Sequence, residues 1–344
     1  MPKLRAGVVG LGMGLHHALA YTVNPHTELV ALCDVSEERL ERAKARVGPV
    51  AGYTSFEAML NSAALDVVSV TTPNRWHAPF TLQALEHGIH TLCTKPVART
   101  LDEARTMLAT ARRVDRTLMV GHQRPYTTAA RHLKRMIDVG ELGDIYHADL
   151  TYLRRKSEIS PSFLDVTVSG GGPLIDLGIH LIDLALWLVG TPRPLRATGI
   201  AQRRLLHLRR PESTVEDYIS ALVTFAGGLS MSISTCYEAN VPDSGHSRRV
   251  ALYGTKLGAA FDPWSGRFVY GDLQGTREET VAEAEPKDNQ QQYSVDAFVT
   301  GVLSGDRRWD TVARGIVALE LVQAIYRSAE RGGISVDLGP DVAG

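Results

Sequence analysis

Over the first third of the chain, short apolar runs alternate with stretches whose apolar residues recur every three or four positions. The runs at 4–9, 28–33, 50–53, 66–71, 89–93 and 117–120 predict strands. Between them, 15–23, 36–46, 56–60, 77–87 and 101–114 predict helices. Ser36 suits an N-cap with Glu37 and Glu38 in the first turn, and Gly88 ends the fourth helix. This rhythm predicts a doubly wound parallel sheet with both faces covered.

After Gly121 the pattern changes. A helix at 126–139 leads to a strand at 145–153, and a long apolar helix follows at 174–189. Strands are then predicted at 197–206, 218–225, 229–237, 249–253 and 267–270, with Ala226-Gly227-Gly228 as a hairpin turn. Helices at 291–303 and 311–331 and a last strand at 334–338 close the chain. Consecutive strands without intervening helices predict a mostly antiparallel sheet, so the fold class is α/β followed by α+β.

The stretch 174–189 reads LIDLGIHLIDLALWLV, and among its sixteen residues only Asp176, His180 and Asp183 are polar. At helical spacing they fall on one narrow stripe that Trp187 extends. A helix apolar on its other sides is buried, and buried carboxylates and imidazoles need partners. Gly170-Gly171-Gly172-Pro173 precedes it, allowing close backbone approach and then a helix start. The stripe reads as the floor of a polar pocket.

Composition narrows the function classes. The chain has 344 residues, 22% charged and 44% hydrophobic, which suits two globular domains. A net charge of −1 argues against a broad nucleic-acid footprint, and the basic run Arg203–Arg210 reads as a solvated face. Three cysteines without a CxxC, and a strand pattern that starts almost at once, predict a reduced, cytoplasmic protein without a signal peptide. The helix at 174–189 reads as too short and too polar to span a membrane, so no membrane partner is expected.

Gly10-Leu11-Gly12-Met13-Gly14 lies between the first strand and the first helix, where a dinucleotide pyrophosphate meets free N–H groups. Asp34 follows the second strand, in position to bind the adenosine ribose. The third glycine comes one residue early, with Leu15 in its usual place. A carboxylate at 34 repels a 2′-phosphate, which favours NAD, while Arg39 one turn on leaves NADP possible. Thr71-Thr72-Pro73-Asn74 and Thr94-Lys95-Pro96 end the fourth and fifth strands, at the same carboxyl edge of the sheet. The expected domains are thus an NAD(P)-binding Rossmann domain over 1–122 and an α+β substrate-binding and oligomerisation domain over 123–344. The helix at 311–331 is expected to pack back towards the first.

These elements together resemble the Gfo/Idh/MocA oxidoreductases, the glucose–fructose oxidoreductase and inositol dehydrogenase family. The similarity rests on GLGMG at 10–14, TTPNRWH at 71–77, TKP at 94–96, and the segment from Gly170 to His180 with its Asp-x-Gly-x-His element. Family members usually carry Glu-Lys-Pro, so Thr94 is a departure. The resemblance implies that Lys95, Asp176 and His180 are the catalytic trio. It implies cofactor contacts at Gly10, Gly12, Met13, Gly14, Asp34, Thr72, Asn74, His77 and Lys95.

The chemistry agrees with that resemblance. Oxidising a sugar or cyclitol hydroxyl removes a proton from oxygen and a hydride from carbon, and nicotinamide takes the hydride. Histidine suits the proton acceptor, here His180, and an ammonium beside the reacting oxygen, here Lys95, stabilises the developing alkoxide. Asp176 then orients the hydroxyl or the imidazole. Gln123, Arg124, Arg154, Asp183 and Tyr237 are further candidates for binding a polyol. No resident metal is expected, although Asp176, His180 and Asp183 also read as a ligand set. Alternatives are an NAD-using glycoside hydrolase and a non-catalytic sensor of the same fold. A homodimer or homotetramer through the C-terminal sheet is expected.

Overall fold

In the computed structural model, which describes residues 2–156, 158–241, 246–281 and 290–339, the predicted rhythm is realised from the start. The elements are β1 (Leu4–Val9), α1 (Gly14–Val23), β2 (Thr27–Cys33), α2 (Glu37–Val47), β3 (Ala51–Tyr53) and α3 (Phe56–Ser62). They continue with β4 (Val67–Val70), α4 (His77–Glu86), β5 (His90–Thr94), α5 (Leu101–Arg113) and β6 (Leu118–Gly121). The six strands lie in the order β3-β2-β1-β4-β5-β6, and every pairing is parallel. All four residues of β4 and of β6 are buried, as strands covered on both faces require. The Ser36 side chain accepts from the Arg39 N–H, capping α2, and Gly88 takes φ +74° beyond α4.

The second sheet follows α6 (Thr128–Asp138). Its sequence is β7 (Ile145–Arg154), α7 (Val166–Ser169), α8 (Ile179–Val189), β8 (Pro194–Gln202), α9 (Leu205–Arg209), β9 (Tyr218–Phe225) and β10 (Ser230–Cys236). Then come β11 (His246–Gly254), β12 (Gly258–Phe261), β13 (Arg267–Asp272), β14 (Gly275–Thr280), α10 (Gln291–Ser304), α11 (Trp309–Glu330) and β15 (Val336–Asp337). Among the described residues, nine strands pair in the order β14-β13-β12-β11-β7-β10-β9-β8-β15, and of these pairs only the central β10–β7 is parallel.

One face of this sheet carries Leu150, Met231, Ile233, Ile219, Val223, Val250 and Phe261, all buried, and packs against α8 and the turn before it. On the other face, Leu222, Ser232, Asp149, Ala251, Ala260 and Val269 form one row in register. Ile200, Leu222, Tyr253 and Val269 share that outer face and are exposed.

Packing divides the chain into two units. One holds the chain through Gln123 together with the helical segment that ends at Gly315; the other holds the described residues from Arg124 to Val281 and from Ile316 onward. In the first unit, α10 packs on α1, and Asn24 Nδ2 donates to Asp296 Oδ1 at 2.7 Å. Val120 N donates to Thr311 Oγ1 at 3.1 Å, and Arg307 pairs with Asp115 at 2.8 Å.

Three local expectations need correction. The strand predicted at 197–206 stops at Gln202, because Asp217 Oδ2 accepts the N–H groups of Arg204 and Leu206 and turns the chain into α9. β12 and β14 were not predicted: GAAF offers little alternation, and GTREET is exposed at every position, so its pairing leaves no apolar trace. The segment at 174–189 is not uniformly α-helical. It opens with a π turn, Leu174–Gly178, before α8.

Val166–Val189 is long and apolar enough by composition to cross a bilayer, but 78% of its most apolar window is buried inside the protein. It is a core element interrupted by the glycine turn.

Candidate active site

In the first unit, a glycine loop joins β1 to α1. Gly10 has φ +88°, and a Cβ there would lie 2.8 Å from the Thr71 carbonyl and from Thr72 N. The loop and the end of β4 therefore touch backbone to backbone, tied by Thr71 Oγ1, which donates to Val9 O at 2.8 Å and Gly10 O at 2.7 Å. Gly14 begins α1, and a Cβ on it would lie 2.3 Å from Thr71 Oγ1 and 3.0 Å from Val8 Cγ1. The early third glycine thus performs the close helix–strand packing. A Cβ on Gly12 would meet nothing within 4 Å, and Met13 beside it is exposed. That opening, at a helix N-terminus, is what a pyrophosphate would fill.

Asp34, 5% exposed, anchors the same loop: Oδ2 accepts from Leu11 N at 2.7 Å and Oδ1 from Ser36 N at 2.9 Å. Each carboxylate oxygen keeps capacity for a ribose hydroxyl. The exposed Arg39 guanidinium approaches Oδ1 at 3.5 Å. Thr72 Oγ1 is buried and finds no partner among the described residues. An orphaned hydroxyl on the residue whose backbone meets Gly10 fits a bound dinucleotide.

The loops after β4 and β5 are locked together. His77, fully buried at the head of α4, places Nδ1 2.8 Å from Pro96 O and Nε2 2.9 Å from Thr72 O. Burial lowers its pKa first, and the Lys95 charge acts in the same direction. Lys95 itself is half-buried between Thr94 and the cis-linked Pro96. Thr94 Oγ1 donates to Val70 O at 3.3 Å and lies 3.4 Å from His77 Nε2, so this departure from Glu-Lys-Pro joins the same knot. Asn74 is buried at the start of a single 3-10 turn.

The second unit supplies the polar stripe. Within residues 174–188 of the buried segment, partial exposure is confined to Asp176, His180 and Trp187. Asp183, on the same predicted stripe, is fully buried. The π turn widens the first turn, so Asp176 and the α8 residues do not follow one uniform 100° spacing. The Tyr237 hydroxyl donates to Asp176 Oδ2 at 3.1 Å. Burial, then the Asp176 and Glu216 charges, hold the Tyr237 phenol well above the usual range, so it stays a donor.

The remaining candidates lie elsewhere in this packing. Gln123 is buried after β6, in the first unit. Arg124 is buried with its guanidinium 3.9 Å above the Trp264 ring. Arg154 donates to Tyr152 Oη at 2.8 Å, and Arg155 donates to Val241 O at 3.2 Å. All three cysteines are free and buried. Burial pushes Cys33 and Cys93 up to about 12 and Cys236 up to about 11, which leaves no thiolate nucleophile near neutral pH. Among the described residues, no group of three or more His, Cys, Asp and Glu side chains is gathered as metal ligands would be.

Glu216 and Tyr326 escaped the sequence reading. The Glu216 carboxylate accepts from Gly172 N at 2.9 Å, Leu174 N at 3.4 Å and the Tyr326 hydroxyl at 2.7 Å. Their signal was indirect: the glycines at 171 and 172 announce a close approach without naming what approaches. Glu216, Tyr326 and Gly171 also line a hollow of about 340 Å³ whose lining does not include Asp176, His180 or Tyr237.

Residues 4–122 match the family described as oxidoreductases with an NAD-binding Rossmann fold, and residues 130–259 match the GFO/IDH/MocA C-terminal domain. The chain belongs to the GFO/IDH/MocA family. It is therefore a nicotinamide-dependent oxidoreductase with an NAD-binding first domain. Across 341 residues it is 30% identical to the D-glucoside 3-dehydrogenase of Escherichia coli K12, covering 96% of each chain. Among solved structures, it is similar to aldose–aldose oxidoreductase from Caulobacter crescentus, complexed with glycerol, at TM-score 0.83 and 25% identity over 98% of this chain and 100% of that one. It is also similar to GenD2 from gentamicin A biosynthesis, in complex with NAD, at TM-score 0.85 and 25% identity over 98% and 97%.

Proposed function

We propose that this GFO/IDH/MocA protein is an NAD-dependent dehydrogenase acting on a secondary ring hydroxyl of a sugar or cyclitol, free or glycosidic. The observation that carries the reading is the half-exposed pair Asp176 and His180 on an otherwise buried segment, with Tyr237 donating to Asp176. The full-length relative named D-glucoside 3-dehydrogenase supports the substrate class. Gly10, Gly12, Met13, Gly14, Asp34 and Thr72 would hold the dinucleotide, with Asn74, His77 and Lys95 completing its site.

Bound NAD supplies the acceptor for the hydride leaving carbon. The protein's part is proton transfer and charge. His180 takes the hydroxyl proton, the electrons of that O–H bond become the new carbonyl bond, and the Lys95 ammonium stabilises the alkoxide as it develops. Asp176, fixed by Tyr237, holds the hydroxyl or the imidazole in the reacting orientation.

The test is a panel of glycosides, aldoses, amino sugars and inositols read by nicotinamide absorbance with NAD and with NADP. Net cofactor reduction with one sugar class supports the reading. Glycoside cleavage without net reduction would make it an NAD-using hydrolase, and cofactor binding with neither would make it a sensor. The reading includes a homodimer or homotetramer through the outer face of the nine-stranded sheet, where Ile200, Leu222, Tyr253 and Val269 are exposed.

A further inference from the structure

We infer that Glu216 and Tyr326 act as one positioning unit for Asp176, holding the glycine turn from which the π turn springs; this rests on the proposed role of Asp176. A helix start leaves N–H groups unsatisfied, and a neighbouring Ser, Thr or Asp usually takes them. Here Pro173 stands at the cap and provides no side-chain bond. The acceptor comes from a distant segment instead: Glu216 Oε2 takes Gly172 N at 2.9 Å and Oε1 takes Leu174 N at 3.4 Å. Tyr326, on α11, donates to Oε1 at 2.7 Å and adds a third donor to the carboxylate.

The glycines exist for this contact. A Cβ on Gly171 would lie 2.2 Å from the Tyr326 hydroxyl oxygen, and one on Gly172 would lie 2.4 Å from Glu216 O. Gly171 also takes φ +153°, which side-chain-bearing residues rarely adopt. From Gly172 the connection to the site is direct, because Gly172 O accepts from Asp176 N at 3.1 Å. Glu216 therefore holds the N–H, and Asp176 the carbonyl, of the same residue.

Burying a carboxylate is costly, yet Glu216 is only 6% exposed. A negative charge at a helix N-terminus recovers part of that cost, and three donors recover more. A serine at 173 would cap the helix without any buried charge. What the charged anchor adds is a fixed origin for a π turn, which places Asp176 under the Tyr237 hydroxyl.

The experiment compares Tyr326→Phe, Glu216→Gln, their double variant and Asp176→Asn in the full chain, with active sites counted by NAD titration. Expected for Tyr326→Phe is unchanged NAD affinity and a near-normal KM, with kcat lower by about tenfold or more, as a displaced orienting group costs. Glu216→Gln keeps the shape and should lose more, and the double variant should lose no more than Glu216→Gln alone. A merely structural pair would lower the melting temperature while leaving kcat per active site intact; that result for Tyr326→Phe overturns the inference while the dehydrogenase reading stands. Full activity in Asp176→Asn would overturn the inference together with the orienting role of Asp176.

Discussion

Tyr237, just beyond the end of β10, donates its hydroxyl hydrogen to Asp176 Oδ2 at 3.1 Å, joining the sheet to the π turn of the buried helix. The bond spans 61 residues of sequence and couples two groups that are separately awkward to bury. A hydrogen bond to a charged partner is worth about 1.5–3 kcal/mol.

Tyr237→Phe removes that bond with little change in shape. Turnover should fall by about ten- to a hundredfold, the kinetic equivalent of that energy. NAD affinity should stay as it was, because the Tyr237 hydroxyl is engaged by Asp176 and is assigned no dinucleotide contact. Steady-state kinetics with a cofactor titration checks both halves, and a variant with unaltered kcat would remove Tyr237 from the site.

Lys95→Met keeps the stem length and deletes the charge. The variant should bind NAD and turn over about 10²–10³-fold more slowly, the usual loss when one stabilising donor at a developing oxyanion is removed. Near-normal turnover would show that Lys95 has no such role.

Asp34→Ala removes both the acceptor for Leu11 N and the partner of Arg39. NAD should bind more weakly, and Arg39 becomes available to a 2′-phosphate. The ratio of kcat/KM for NAD over NADP should drop by about tenfold or more. An unmoved ratio counts against Asp34 as the discriminating residue.

Stability should decline as acid is added, for a reason located in the first unit. His17 is fully buried against Ser69, and burial lowers its pKa from 6.5 to about 4. His90 Nδ1 accepts the Thr117 N–H at 2.9 Å, and its pKa is likewise lowered to about 4, chiefly by burial. Both rings are neutral in the fold, whereas the unfolded chain takes up protons below pH 6.5. The stabilisation is complete above that pH and is lost as pH falls from 6.5 towards 4. For His17 the loss is on the order of 3 kcal/mol. Denaturant melts at several pH values should show this slope, and His17→Gln should flatten it.

Leu222→Glu puts a charge on the outer face of the second sheet, between Thr198 of β8 and Ser232 of β10. Leu222 is 48% exposed in the single chain, so folding should tolerate the change. If copies associate through this face, the mass in solution should drop to that of one chain; light scattering decides, and an unchanged assembly would move the interface elsewhere.

The sequence alone determined the order of elements through Gly121, the parallel sheet, and the glycine turn followed by Asp34. Strands buried on both faces leave continuous apolar runs, and a phosphate-binding turn needs glycines at fixed local offsets. It also singled out Asp176 and His180, because polar residues in an apolar helix are conspicuous in any window. Only the tertiary structure decided the π turn, the short helix that cut off the strand at 197–206, and the exposed strand β14. It alone supplied the anchor: Glu216 stands 44 residues from Gly172 and 110 from Tyr326. Periodicity records which face of an element is covered, whereas a hydrogen bond between distant segments leaves only the glycines that make room for it.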